Sequence, residues 1–591
     1  MVLKGLTFRS VGDGVALASA VRIVSDLGAT TTSESPVRRP RQFDHVGVSD
    51  FGDLSSGLPD AHGVHEVHAV GGALMAQWSV DPGPVLLTTP YAEVSLGAAL
   101  PMLALAQRLG YWHGLSASCL QGLMVLQSGA YSYGEGRAAD RWSESPRGQH
   151  PSYSLYECRD GWIFLGALSL TLALKAFAAL KIEDRVDSAM LAGLFDKASP
   201  DRARVAELLS ETLGARLVGD VLSKLSAAGV PASDVPTFDA ALSGALFRGF
   251  EEVELVTVQR APAPSTAQVN FDREPLRVLE VAGYISGPFV GRLMTDFGAS
   301  VKKVEPLDGD PLRRQGLSFA AWNHGKTCLP LDLGTPAGQT RLRSLIREAD
   351  VVVTNYLPKS ARALGLDADA VLAVNPTAIV ATIGGYPAWS GLGSQSAFDP
   401  AIQARFGIMR LQGGADEPVK PQIAASDYVA AMLATGGILA ALHERRETGA
   451  TAGYRIDTSL AAAGYLLARG ARDLPGGRLV GGRDFRGRAD IPSIRRTLDG
   501  WILVSGTTHP APMPLDIGKV AAATTTDRAL RELRSLGYAA VPCYHPDDLP
   551  SRPDFRSADV FHVVHDQSGN EVITPRLFGM ASAATMTQSL G

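Results

Sequence analysis

The sequence predicts an α/β protein in which one large unit occurs twice in tandem, and two observations carry that prediction. The first is self-similarity. Leu6–Pro36 (LTFRSVGDGVALASAVRIVSDLGATTTSESP) resembles Leu276–Pro306 (LRVLEVAGYISGPFVGRLMTDFGASVKKVEP), with Asp26-Leu27-Gly28-Ala29 under Asp296-Phe297-Gly298-Ala299 at an offset of 296 − 26 = 270. Ser56–Leu58 repeats as Ser390–Leu392 (offset 334), Asp160–Ile163 as Asp499–Ile502 (offset 339), and Gly229–Pro231 as Ala540–Pro542 (offset 311). Landmarks kept in one order over hundreds of residues indicate duplication of a domain-sized unit, not a short-period solenoid. The second observation is alternation of short apolar runs with helical periodicity, which implies a parallel sheet with right-handed crossovers.

The elements follow in order. Arg277–Val281 is a short apolar strand, followed by a turn with glycines at 283, 287 and 291 and an amphipathic segment ending at Asp296. Ser300–Glu305 reads as the second strand, Asp350–Asn355 and Ala378–Ile383 as buried strands, and Leu342–Glu348 carries helical spacing. Tyr428–Arg446 is a long helix, apolar through Met432, Leu433, Ile438 and Leu439 and closed by Thr448-Gly449. Residues 261–274, which include the Ala/Pro/Ser run Ala261–Gln268, form the linker. Copy one is assigned to 1–260 (large-domain remnant 1–150, small domain 151–260) and copy two to 275–591 (large domain about 275–485, small domain about 486–570). The offsets say what each lost. Between the first two landmarks the offset rises by 334 − 270 = 64, so copy one lacks about that many residues. Between the last two it falls by 339 − 311 = 28, so copy two is trimmed in its small domain.

Composition excludes several classes. At 591 residues and 46% hydrophobic, the chain can bury large cores. Net charge −5 and pI near 6.2 give no field for nucleic acid or an anionic membrane. Cys119, Cys158, Cys328 and Cys543 have no paired or CxxC spacing and read as reduced thiols. No uncharged apolar run reaches about 18 residues, as a spanning helix needs. The apolar N-terminus matches interior residues 276–306, so it reads as folded domain and not as a signal peptide, and a cytoplasmic location is expected.

Two motifs point nowhere by themselves. The glycines at 283, 287 and 291 are not spaced GxGxxG, so close packing is expected there and not NAD binding. His62, His65 and His68 are spaced by three, but no ligand set accompanies them and HExxH is absent, so no metal site is expected. Asp427, at the start of the long helix, reads from spacing alone as a cap, and Asp399 likewise.

A resemblance changes the reading of those two aspartates. Gly287-Pro288, Asp296–Ala299, Lys303–Pro306, Asn323–Lys326, Leu331–Leu333, Ala349–Tyr356, Leu364–Leu366, Ala397–Gln403, Ser426–Tyr428 and Ala440–Leu442 occur in one order. In that order the segment resembles the class III CoA-transferases of the formyl-CoA and carnitine CoA-transferase type, and copy one carries the same frame faintly. The resemblance implies two units, each with a Rossmann-like parallel-sheet large domain and a smaller α+β domain. It implies Asp427 as the nucleophile that forms an aspartyl-CoA thioester, with Asp399 as a supporting carboxylate. A carboxylate suits that role, being ionised at neutral pH and giving activated acyl adducts.

Ser286, Leu331, Asn355, Tyr356 and Arg362 fall where the family lines the CoA cleft, although Ile285 and Ala363 replace polar or basic residues common there. Gly476-Gly477 and Gly481-Gly482 fall where the family carries a mobile glycine loop. The implied substrates are an acyl-CoA and a carboxylic acid, with no tightly bound cofactor. Copy one is expected to be inactive, since offset 334 sets His65 under Asp399 and offset 428 − 91 = 337 sets Pro90 under Asp427. Family members resemble interlocked homodimers, so the fusion implies an intramolecular pseudo-dimer; further homo-oligomerisation stays open.

The competing functions are a lyase or isomerase of the same fold and a non-catalytic acyl-CoA-binding pseudoenzyme. Racemisation is disfavoured because Phe398, not histidine, precedes Asp399. Retention of Asp399 and Asp427 disfavours the non-catalytic reading.

Overall fold

The computed structural model describes residues 2–578 apart from 12–13, 35–41, 52–63, 76, 78–82, 115, 135–136, 139–144, 263–274, 475–476, 488–491, 508–515 and 567. Ser56–Leu58, His62, Gly476 and most of the linker thus lie outside the described residues.

Copy two contains a seven-stranded sheet in the order Val256–Arg260, Tyr454–Ser459, Ile379–Gly384, Val351–Thr354, Arg277–Val281, Ser300–Glu305, Thr327–Pro330. Every pairing is parallel except the first, between Val256–Arg260 and Tyr454–Ser459. The edge strand Val256–Arg260 comes from the end of copy one. The two copies therefore share a sheet, and a boundary at 260 cuts through it.

Copy one keeps a five-stranded sheet, ordered Thr30–Glu34, Thr7–Val11, Gln42–Phe43, Val46–Ser49, Ser116–Ser118. Thr7–Val11 and Thr30–Glu34 pair in parallel, as do their counterparts Arg277–Val281 and Ser300–Glu305. On its other side Thr7–Val11 pairs with the antiparallel strand Gln42–Phe43, where copy two sets the parallel strand Val351–Thr354.

The centre of the molecule is the helix Ala425–Thr448, closed by Gly449 in the left-handed conformation. It packs along Tyr91–Leu109, its counterpart in copy one. Met432, Leu433, Ile438 and Leu439 are fully buried in one core cluster with residues of both copies, each such side chain contributing roughly 1.5–3 kcal/mol. By length and composition Ala425–Thr448 could cross a membrane, but 94% of its apolar window is covered by protein, as in a core helix.

The small domains cross over. That of copy one has a four-stranded sheet, ordered Ala232–Asp234, Gly161–Gly166, Tyr153–Cys158, Gly148–His150, with the helices Leu170–Leu180, Ser188–Gly193, Asp201–Gly214 and Val218–Ala227. It lies on the helix Asp399–Arg405 of copy two. Tyr153, Leu155, Phe164 and Val235 share an apolar cluster with Ala401, Ala404 and Met409. The small domain of copy two is lighter, with strands Ser493–Arg496, Trp501–Thr507 and Tyr538–Pro542 and helices Ile517–Ala522 and Thr526–Ser535. It lies on the helix Val64–Val70 of copy one. The hairpin Phe561–His565/Glu571–Pro575 then extends a short hairpin of copy one through Ile573 and Tyr133.

Candidate active site

The site begins at the turn after Arg277–Val281. Tyr284 has φ 61°, unusual for a bulky side chain, and the next helix, Ser286–Asp296, starts immediately. A buried charge network holds this turn. Lys303 Nζ lies 2.9 Å from Glu280, 3.0 Å from Asp310 and 2.8 Å from the Ala282 carbonyl. Lys326 Nζ lies 2.8 Å from Glu280 and 2.6 Å from the Pro288 carbonyl. Two cations against two carboxylates leave no net buried charge, the condition under which such a group is tolerated. A Cβ on Gly291 would lie 2.0 Å from Glu280 Oε2, which explains that glycine by close packing.

Asp427 is the third residue of Ala425–Thr448, whose N-cap is Ala424, so it is not the cap. It lies half-buried in the helix's first turn, where free backbone N–H groups favour an anion. Burial and the nearby charge of Asp399 push its pKa well above the usual aspartate value, while hydrogen bonds from the N–H and hydroxyl of Ser286 pull it back. Asp399 opens the helix Asp399–Arg405 and is 3% exposed. Its Oδ1 accepts the Ser426 N–H at 2.8 Å and the Ser426 hydroxyl in a short hydrogen bond, so it caps the next helix. Its Oδ2 accepts from Gln403 Nε2 at 2.8 Å. Burial raises its pKa, opposed by the Ser426 bonds. Gln403 also donates to the Ile423 carbonyl at 2.7 Å and accepts from Tyr91 of copy one at 2.8 Å. A copy-one tyrosine thus orients the amide that orients Asp399.

Both carboxylates line one cavity, and residues of both copies wall it. Copy two supplies Tyr284, Ile285, Phe398, Lys420, Gln422 and Tyr428; copy one supplies Leu126, Gln127, Ala130, Tyr131, Gln149, Tyr153 and Leu168. Tyr153 and Tyr284 contact Phe398, with ring centroids 6.3 and 5.0 Å away. Burial, then the charges of Asp399 and Asp427, raise the Tyr153 pKa well above its usual value, so it faces both aspartates as a neutral hydroxyl. Lys420 is buried, and desolvation lowers its pKa to about 8 against the opposing pull of Asp399.

The residues assigned to CoA divide. Ser286, Leu331, Asn355 and Tyr356 all follow the C-terminal ends of parallel strands, where open α/β sheets bind ligands. Asn355 Nδ2 donates to the Gly283 carbonyl at 2.7 Å and reaches Ser286 Oγ at 3.4 Å, and its Oδ1 accepts the Gly283 N–H at 3.1 Å. Ser286 and Asn355 are therefore brought to Asp427. Leu331 and Tyr356 are partly buried against a separate apolar cluster of copy two, and Arg362 is exposed on the helix Pro358–Leu364. Gly481 and Gly482 are not among the residues lining the cavity. Gly481 donates its N–H to the Leu411 carbonyl at 2.9 Å, and a Cβ there would lie 2.2 Å from the Gln412 carbonyl oxygen. Close backbone packing accounts for it.

The matching site of copy one requires a correction. The helices Tyr91–Leu109 and Ala425–Thr448 begin after the N-caps Pro90 and Ala424. Their offset is 425 − 91 = 334, so the counterpart of Asp427 is Glu93 and not Pro90. Aligning the two tyrosines had slipped the register by three residues. Glu93 is buried at 6% exposure. His65 stands under Asp399, and burial lowers the pKa of His65 to about 4 and of His68 to about 3, so both are neutral. Among the described residues no group of three or more His, Cys, Asp or Glu is placed to hold a metal.

Lys420, Gln403, Tyr91 and Tyr153 were missed from the sequence. Only Lys420, between Pro418 and Pro421 before the helix of Asp427, carries a visible signal.

The model of CoA-transferase family III matches residues 92–276 and again 274–515. The chain belongs to that family. Succinyl-CoA–D-citramalate CoA-transferase of Chloroflexus aurantiacus is 33% identical over 201 residues, which is 32% of this chain and 48% of that protein. Succinate–glutarate CoA-transferase of Agrobacterium fabrum is 32% identical over 201 residues, 31% of this chain and 50% of that protein. This chain spans about half the length of these curated relatives. A CAIB/BAIF family protein from Brucella suis, a solved structure, is 24% identical, with 54% of this chain and 98% of that chain covered at a TM-score of 0.44.

Proposed function

We propose that this family III chain moves CoA from an acyl-CoA thioester to a carboxylic acid through a thioester on Asp427. The observation that carries the reading is Asp427 itself, in the first turn of a buried helix, bonded by Ser286 and opening on a cavity beside Asp399. Asp427 attacks the acyl-CoA carbonyl, giving a mixed anhydride and CoA thiolate. The thiolate attacks the aspartyl carbonyl, releasing the first acid and leaving aspartyl-CoA. The second acid attacks that thioester, giving a new anhydride and thiolate. Thiolate attack on the new acyl carbon releases the product acyl-CoA and restores Asp427. No proton is consumed.

The raised pKa makes ionised Asp427 more basic and so a better nucleophile. The Ser286 N–H and the neutral Tyr153 hydroxyl are the donors placed to stabilise the tetrahedral oxyanions. The match to CoA-transferase family III and relatives named as CoA-transferases support transfer over isomerisation or elimination. Copy one's small domain closes the site, which makes the chain a pseudo-dimer with one working site.

The test is hydroxylamine trapping. Enzyme incubated with acyl-CoA and quenched with hydroxylamine should carry a hydroxamate at Asp427, read by mass spectrometry of that peptide. Turnover with an unmodified Asp427 peptide would sink the covalent mechanism.

A further inference from the structure

The acids exchanged at this site follow from charge and wall chemistry, an argument that rests on the CoA-transfer reading above. Lys420 is the one lysine or arginine among the described residues lining the cavity. Asp399 keeps its own partners: Oδ1 is taken by Ser426 and Oδ2 by Gln403. Once Asp427 is a thioester it is neutral, and Asp399 and Lys420 balance each other. An entering carboxylate is then the one surplus charge, and Lys420 with two amide donors can meet it. Those donors are Gln127 Nε2 and Gln422 Nε2, both buried with no partner among the described residues. They offer hydrogen bonds but no second positive charge. Beyond them the wall holds two more uncharged amides, Gln149 and Gln315, and is otherwise largely apolar and aromatic, with Leu126, Ala130, Leu168, Tyr153, Tyr284 and Phe398.

We propose that this cavity takes monocarboxylic acids with a bulky apolar or aromatic acyl group, with Lys420 binding the reacting carboxylate, and rejects short dicarboxylates. A second carboxylate would be buried against this wall with no cation, and an unpaired charge in an apolar site is strongly disfavoured. Aromatic acyl groups gain from offset or edge contacts with Tyr153, Tyr284 and Phe398. Such a preference sets this chain apart from the relatives named for succinyl-CoA, succinate, glutarate or citramalate.

The test compares phenylacetyl-CoA and 3-phenylpropionyl-CoA with succinyl-CoA as donors, and the free acids with glutarate as acceptors. Loading of Asp427 is followed by hydroxylamine trapping, and discharge by loss of the trapped thioester. Aromatic monoacids should be favoured at least ~10²-fold in kcat/KM, the scale expected when a buried polar group has no partner. Equal or better loading and discharge by succinyl-CoA and glutarate would overturn the proposal while leaving CoA transfer intact.

Calorimetry of 3-phenylpropionate and glutarate on the CoA-bound enzyme gives a second readout independent of turnover. Preferential binding of phenylpropionate without any trapped thioester would keep the pocket assignment and remove the transferase reading. Tighter binding of glutarate would remove the pocket assignment. Lys420→Met should raise KM for the aromatic acid ~10²-fold, with Lys420→Arg recovering part of it. An unchanged KM in folded Lys420→Met would show that the lysine does not bind the carboxylate.

Discussion

The two copies present the same helix start to the same kind of surroundings, yet they differ at every point the chemistry needs. Asp427 and Glu93 are both third residues of long buried helices. Asp427 opens on a cavity and receives Ser286, whereas the counterpart of Ser286 at offset 270 is Ala16, which has no hydroxyl. Asp399 receives Ser426 and Gln403, whereas its counterpart is a buried, neutral His65. Copy one also lacks the stretch that in copy two holds Leu331, Asn355, Tyr356 and Arg362; a two-residue antiparallel strand, Gln42–Phe43, replaces the parallel strand there. A carboxylate at the right helical position is therefore not sufficient. On the proposed mechanism, what sets Asp427 apart is the donor, the supporting acid and the open cleft around it.

The largest expected effect breaks the comparison at its centre. Asp427→Ala should lower kcat by ~10⁴-fold or more, as loss of a covalent nucleophile does, while Glu93→Gln leaves kcat within about threefold, a change too small to involve chemistry. Steady-state rates on the two folded variants decide this, and a large loss in Glu93→Gln would show a second working site. Isothermal titration should accordingly count one CoA per chain; two equivalent sites would contradict the asymmetry.

Asp399→Asn should cost on the order of 10²–10⁴-fold in kcat, the range of a supporting acid–base or electrostatic group. A full-speed variant would place Asp399 in a purely capping role.

The pH profile sharpens the contrast next. Asp427 must be ionised to attack and its pKa lies above the usual aspartate range. The acid limb of kcat/KM should therefore lie above that range, with rate rising as pH rises through it. Lys420 must be protonated to hold the acid, and its pKa is lowered to about 8, so the rate should fall as pH rises through that value. Among the described residues, the charged and titratable groups lining the cavity with this pair are Asp399, Tyr131, Tyr153, Tyr284 and Tyr428, and burial raises Tyr153, Tyr284 and Tyr428 so that they stay neutral across the window. In Lys420→Met the alkaline limb should move away from 8; an unmoved limb would assign it to another group.

The smallest effect tests what copy one lends to copy two. Tyr91→Phe deletes one hydrogen bond to Gln403, worth about 1 kcal/mol, and should lower kcat several-fold with KM nearly unchanged. A drop confined to thermal stability would leave Tyr91 a packing residue.

The sequence by itself determined the duplication and the parallel-sheet class, and it singled out the two aspartates that the fold brings to one cavity. Internal matches and apolar runs are local in sequence, and the strands Arg277–Val281 and Ser300–Glu305 were legible from them to the residue. The family frame, not spacing, distinguished Asp427 from a cap. Register within copy one was not legible, because helix starts and not tyrosines fix it, and so Glu93 was passed over for Pro90. The sharing of elements was equally hidden. Whether Val256–Arg260 joins one sheet or the other is decided by which edge has free backbone groups, and no residue in that strand states it. Lys420, Gln403, Tyr91 and Tyr153 lie up to 329 positions apart (420 − 91) and converge only because the central helix and the small domain of copy one both pack against copy two. Burial then sets their chemistry: the same lysine or tyrosine in water would keep its ordinary pKa, and the closed apolar wall of the cavity moves both.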